Sequence, residues 1–257
     1  MRSAPEWSRQ RGFGIKVDWG RAGAAAIGPG AAAVVVVDVL SFTTSVSVAT
    51  GAGTAVYPYR WRDASAREFA DRHGAALAVG RREAEEARPW SLSPAAIRRA
   101  PFTERLVLPS PNGSAIAATV DGGTVVAGCL RNYSAVADWL IAQGWGTPEE
   151  PIAIVAAGEQ WPGSEALRPA LEDWFGAGAL AAALLDRGAT AASPEAQSAA
   201  TTFAATPDVP ALIATSASGR ELAAIGFADD VAIAIDLDAD TTVPVLTADA
   251  FTDRSSS

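Results

Sequence analysis

Cysteine, histidine and methionine occur once each in this 257-residue sequence. With Cys129 alone, no disulfide can form within the chain, and a reducing cytoplasm is the expected compartment. With His73 alone, neither a histidine-based triad nor a histidine-rich metal site is expected. His73 precedes Gly74 at the end of a predicted helix, where partial positive charge is favoured. Basic residues are also scarce: 20 Lys and Arg against 29 Asp and Glu give a net charge of −9. That balance excludes nucleic acid as an expected partner, because neutralising phosphates requires clustered cations. A small anion is still compatible, since one pocket or a bound divalent cation can reverse the local sign. No apolar run approaches the about 18 residues of a membrane span, so no membrane association is expected. The opening MRSAPEWSRQRGFG lacks an apolar stretch and does not read as a secretory signal. Aromatics are only 7%, and the abundant alanine and the preference for arginine over lysine reflect coding bias rather than function.

Apolar residues make up 49% of the chain, and they come in short β-branched runs alternating with alanine-rich helical stretches. Strands are predicted over 33–37, 54–59, 76–79, 106–108, 125–127 and 152–156, with helices over 45–51 and 64–73. Asp63 is the expected N-cap of the second helix. Further helices are predicted in GCLRNYSAVADWLIAQ and EDWFGAGALAAALLDRG, and GAG in the latter suggests close packing on a neighbouring backbone. The stretch AGAAAIGPG reads as a loop before the valine run, VAIAIDLD as a strand and VPVL as an edge strand. The expected fold class is α/β, with a largely parallel mixed sheet flanked by helices. Residues 1–30 are expected to be partly irregular and 31–250 a single α/β domain, with any subdomain boundary near 145–151. Ligands of such sheets bind beyond the carboxyl ends of strands, where Asp38, Asn112, Asn132 and Glu159 are placed.

Asp38 ends the run VVVV. A carboxylate there needs a cation or several donors, as a metal ligand, a catalytic acid/base or a helix cap. Thr43, Thr44 and Ser45 put hydroxyls at a helix start, which suits an anion or ordinary capping. The phosphoaspartyl pattern D-x-D-x-T fails at Leu40. In SPNGS, the Asn112–Gly113 turn ahead of Ser114 either aims donors at an anion or simply joins strand to helix. Glu172 and Asp173 begin a helix and suit either a hard cation such as Mg²⁺ or a solvated helix start. Arg81 and Arg82 offer bidentate anion recognition or plain surface charge. Cys129, without an evident basic neighbour, reads as buried and structural. GAG at 51–53 follows a helix and is no dinucleotide fingerprint.

In order, VVDVLSFTTS, AVGRR, WSLSP, SPNGS, AGCLRN, IVAAGE, LEDWFGAGAL and DDVAIAIDLDADTTVPVL span about residues 33–246. This ordered set resembles the 2-phosphosulfolactate phosphatase family, the ComB-like proteins. The resemblance implies a ComB-like phosphatase fold and Mg²⁺-dependent hydrolysis of 2-phospho-3-sulfolactate to 3-sulfolactate and phosphate. Residue by residue it carries over Asp38, Thr43, Thr44, Arg82, Asn112, Gly113, Glu172 and Asp173. The expected metal ligands are Asp38, Glu172 and Asp173, with Asp38 and Asp173 catalytic, and the expected substrate-binding set is Ser41, Thr43, Thr44, Arg81, Arg82, Asn112, Gly113, Ser114 and Asn132. Two departures stand out: Ser41 replaces a common arginine, and Arg81 replaces the glutamate of G-E-R. A non-catalytic anion-binding protein, or a hydrolase or lyase for another phosphorylated small acid, is the alternative. The expected partner is a small anionic phosphoester, and the expected assembly a homodimer.

Overall fold

A computed structural model describes residues 4–61, 63–120 and 122–255. The strands are β1 (Ile15–Trp19), β2 (Ala33–Val37), β3 (Ala55–Tyr59), β4 (Ala76–Leu77), β5 (Arg105–Pro109), β6 (Thr124–Gly128), β7 (Ile152–Ala156), β8 (Glu159–Gln160), β9 (Leu167–Arg168), β10 (Pro244–Thr247) and β11 (Ala250–Asp253). The helices are α1 (Gly20–Ile27), α2 (Phe42–Gly51), α3 (Ala64–His73), α4 (Pro94–Arg99), α5 (Gly113–Ala117), α6 (Tyr133–Ala142), α7 (Leu171–Asp186), α8 (Pro194–Ala205), α9 (Val209–Ala214), α10 (Ala217–Ala224) and α11 (Ala228–Ala234). None is long and apolar enough to cross a membrane.

Nine strands form one mixed sheet in the order β1-β7-β2-β6-β10-β11-β3-β5-β4. Pairings from β1 to β6 are parallel, as are those of β3, β5 and β4. The β10–β11 hairpin joins these two blocks through antiparallel pairs. Three successive antiparallel steps reverse the direction of the second block. Sheet twist of about 20–25° per step, over the five steps from β2 to β5, turns that block by roughly 100–125°. This rotation accounts for how the carboxyl ends of both β2 and β5 reach one site.

The valine run is buried on both faces. Val35 and Val37 join the cluster containing Leu140, Phe175 and Leu180. Val34 and Val36 join Phe42, Val46, Leu106 and Ile116 on the other side. A central parallel strand covered on both faces has this continuous apolar character. Asp63 caps α3 by accepting from the Ser65 N–H at 3.0 Å, as its sequence position predicts.

Three predicted elements differ. AGAAAIG forms α1, and β1 before it is the edge strand, paired with β7. VAIAIDLD supplies α11, because a short apolar run does not distinguish strand from helix and Asp229 and Asp230 suit a helix start. VPVL contributes to β10, which lies inside the sheet between β6 and β11. Strands from before and after residues 145–151 interleave in this sheet, with β7 between β1 and β2.

The small residues of α7 allow close approach on two sides. A Cβ on Gly176 would lie 2.7 Å from Val37 Cγ1, and one on Gly178 would lie 2.4 Å from the Ala199 carbonyl oxygen of α8. Gly178→Ala is therefore expected to lower unfolding stability by about 1–3 kcal/mol through overpacking. Urea denaturation checks this, and a stability equal to the wild type would contradict the backbone contact.

Candidate active site

The site begins where β2 ends. Asp38 is buried, and its Oδ1 accepts from the Phe42 N–H at 3.1 Å while Oδ2 accepts from the Gly113 N–H at 2.8 Å. One carboxylate thus ties the start of α2 to the start of α5. Thr43 Oγ1 bridges the Asp38 N–H at 3.0 Å and the Asp38 carbonyl at 2.9 Å. Thr44 Oγ1 donates to the Val39 carbonyl at 2.7 Å. Both hydroxyls shape the Asp38 turn from inside, so the structure gives them a supporting position rather than one facing an anion.

The start of α7 lies against this turn. Asp173 Oδ1 accepts from the Val39 N–H at 2.7 Å, and Oδ2 accepts from the Gly158 N–H at 2.8 Å. Asp173 therefore staples the loop after β2 to the loop after β7. Glu172 is also buried, and its Oε2 has no hydrogen-bond partner. The solvated helix start that the sequence allowed for these two acids does not occur.

Glu159 begins β8 and accepts from Asn112 Nδ2 at 3.0 Å. Burial, followed by the neighbouring Asp38 charge, pushes Glu159 up to about 7. Burial also raises Asp38, against the Phe42 and Gly113 N–H bonds and the Arg81 charge. Glu172 is raised by burial, and Asp173 well above the usual range by burial and then by the charges of Asp38 and Glu172. Sequence reasoning put Glu159 at a strand end but gave it no role. The signal was the IVAAGE segment, a second buried strand closing on an acid.

The two adjacent arginines separate. Arg81 Nη2 donates to Ser41 Oγ at 2.6 Å and its Nε to Asp230 Oδ2 at 3.2 Å. Asp230 is fully buried and also accepts from Ser93 Oγ at 2.5 Å and the Ala95 N–H at 3.2 Å. Arg82 is exposed on the surface. Of the two, Arg81 is the one that reaches Ser41, and Asp230, unforeseen from sequence, holds it.

Asn132 and Ser114 serve the fold. Asn132 Oδ1 accepts from the Cys129 N–H at 2.9 Å, and Nδ2 donates to the Thr242 carbonyl at 3.1 Å. Ser114 donates to the Leu108 carbonyl at 3.2 Å. Cys129 is buried and its thiol is pushed up to about 11 by burial, which fits its structural reading.

Two clefts meet at Glu159 and Gln160. The smaller, about 370 Å³, is lined by Leu40, Arg81, Arg168 and Ser218 among others. The larger, about 830 Å³, includes Asn112 and lies beside α1 and α5. The acids around the smaller cleft suit a hard cation, because Glu172 Oε2 is buried and unpartnered beside Asp38. Among the described residues, no three His, Cys, Asp or Glu are spaced to share one ion. Mg²⁺ fits such a sparse set, since it takes one or two carboxylates and completes its shell with water and phosphate oxygens.

The raised acids set the sign of a pH effect. A carboxyl whose folded pKa lies above its unfolded value leaves stability intact below the unfolded value, and stability falls as pH rises through the window. For Glu159 that window runs from 4.5 to about 7. The melting temperature of metal-free protein is expected to fall across it, and Glu159→Gln to flatten the slope. Calorimetry at several pH values in EDTA checks this; a wild-type slope of zero or opposite sign would contradict the burial.

A family model described as 2-phosphosulpholactate phosphatase matches residues 27–249. No curated protein matches the sequence. The family match spans every residue of the site, from Asp38 to Asp230. The chain belongs to the 2-phosphosulfolactate phosphatase family and is, with it, a phosphoric monoester hydrolase.

Proposed function

We propose that this protein is a Mg²⁺-dependent phosphatase of small phosphorylated hydroxy acids, with 2-phospho-3-sulfolactate as the expected substrate and 3-sulfolactate and phosphate as products. The observation that carries the reading is the unpartnered Oε2 of Glu172, buried among acids and next to Ser218, which lines the cleft with two arginines. Glu172 and Asp38 would hold the cation. Bound there, Mg²⁺ supplies charge neutralisation at the phosphoryl group and orients water.

The chain's own residues do the rest. Arg81 is held by Asp230 and Ser41, so its guanidinium is fixed before an anion arrives. Arg168 lines the same cleft and pairs with Glu221 at 3.4 Å. The two guanidiniums are the cations this cleft offers to the substrate's phosphoryl, carboxylate and sulfonate groups. Asp173, expected from the sequence as a catalytic group, staples two loops and lines neither cleft. The proton-transfer role therefore goes to Glu159, which reaches both clefts and sits near neutral pKa. Asn112 orients it. The single buried cysteine supports a reducing cytoplasm as the compartment.

Phosphate release from racemic phosphosulfolactate and from phospholactate, each with Mg²⁺ and with EDTA, tests the reading. Release that requires Mg²⁺ and favours the sulfonate is the expected result. Glu172→Gln, which costs Oε2 no hydrogen bond, is expected to lower kcat by at least about 10²-fold while circular dichroism stays native. Near-normal turnover in folded Glu172→Gln protein would sink the assignment.

A further inference from the structure

A three-carbon phosphoester does not require two clefts. The smaller one already offers both guanidiniums and Glu159. The larger opens on the other side of Glu159, the group placed to transfer a proton to the leaving oxygen. Its volume of about 830 Å³ lies in the range that encloses a drug-sized ligand.

The walls of that cleft are mostly apolar and one is rigidly set. Trp19 lines it and stacks on Trp174, with ring centroids 5.8 Å apart and planes 8° from parallel. Trp174 follows Glu172 and Asp173 on α7, so the helix that delivers the acids also fixes this aromatic wall. Ile116 of α5 and Leu167 of β9 add apolar surface, and Leu167 is 42% exposed. The arginines of this cleft, Arg21 and Arg60, are matched in number by its acids, Glu159 and Glu165. With the charges balanced, the apolar surface decides what fits.

We propose that the larger cleft is a leaving-group subsite, and that the enzyme takes phosphomonoesters of 2-hydroxy acids carrying an aromatic side chain. The phosphate and carboxylate would lie at Arg81 and Arg168, with the ring against Trp19 and Leu167. This rests on the phosphatase reading and adds a substrate class to it. The chemistry is unchanged: water oxygen bonds to phosphorus and gives up a proton, the bond from phosphorus to the C2 oxygen breaks, and Glu159 passes a proton to that oxygen.

The test compares 2-phospho-3-phenyllactate with 2-phospholactate under Mg²⁺, in wild type and in Ala25→Trp. Ala25 is exposed on α1 at the cleft wall, so the indole fills space without entering the core. The expected wild-type result is a kcat/KM at least about tenfold higher for the phenyl ester. Ala25→Trp is expected to abolish that preference and leave the phospholactate rate unchanged. Equal rates on the two esters, a preference that survives Ala25→Trp, or an equal loss on both would overturn the proposal. If neither ester is hydrolysed, the phosphatase reading fails and titration calorimetry with 3-phenyllactate decides the subsite. Saturable binding that Ala25→Trp removes supports it; no binding by wild type overturns it.

Discussion

Buried carboxylates that accept backbone N–H groups organise this molecule. An ion removed from water costs several kcal/mol unless it is compensated. Asp38 and Asp173 are compensated by four N–H donors drawn from residues 39, 42, 113 and 158. Those donors lie in the loops after β2, β5 and β7, so two acids join three loops that are remote in sequence. Gly113 is part of the same constraint. A Cβ there would lie 2.4 Å from Phe42 Cδ1 and 2.8 Å from Asp38 Oδ2. Glycine at the Asn–Gly turn is required for close approach to the carboxylate.

Ser41 and Arg81, the two positions that depart from the pattern the resemblance implies, meet in space: Arg81 donates to Ser41 and brings its charge to that spot. Holding it there requires an anchor, because a long guanidinium side chain gains little from a single hydroxyl contact. Asp230 provides that anchor from α11, and Ser93 of the WSLSP segment and Ala95 just after it hold Asp230 in turn. Motifs far apart in the chain thus act as one support for one arginine.

What the sequence made legible follows the same physics. The valine run, the strand over 152–156 and the helix over 64–73 were readable because burial and capping are local signals. α11 was not, since six apolar residues over a short span fit either period until Asp230 finds Arg81. Asp38, Glu172 and Asp173 could be singled out as acids at element ends. Their division of labour could not, because it depends on which N–H groups face each oxygen. Asn132 shows the converse: an amide at a helix start looks the same in sequence whether it faces an anion or bonds Cys129 and Thr242. Arg81 and Arg82 differ only in the direction each leaves the short turn at Arg81–Glu83, which tertiary packing decides.

Opposing fields act on the acids of α7. Glu172 and Asp173 stand in the first turn of a 16-residue helix, whose partial positive charge favours their ionised forms. Burial and mutual repulsion act the other way and are stronger, since both acids are raised. Asp173 meets this with two N–H bonds, whereas Glu172 Oε2 has none. The least compensated oxygen of the cluster is therefore that of Glu172, next to Ser218 of the cleft that holds Arg81 and Arg168. A cation held by Glu172 would lower the cost of ionising the neighbouring acids. The strain of assembling four acids is thus concentrated where a ligand of opposite charge relieves it.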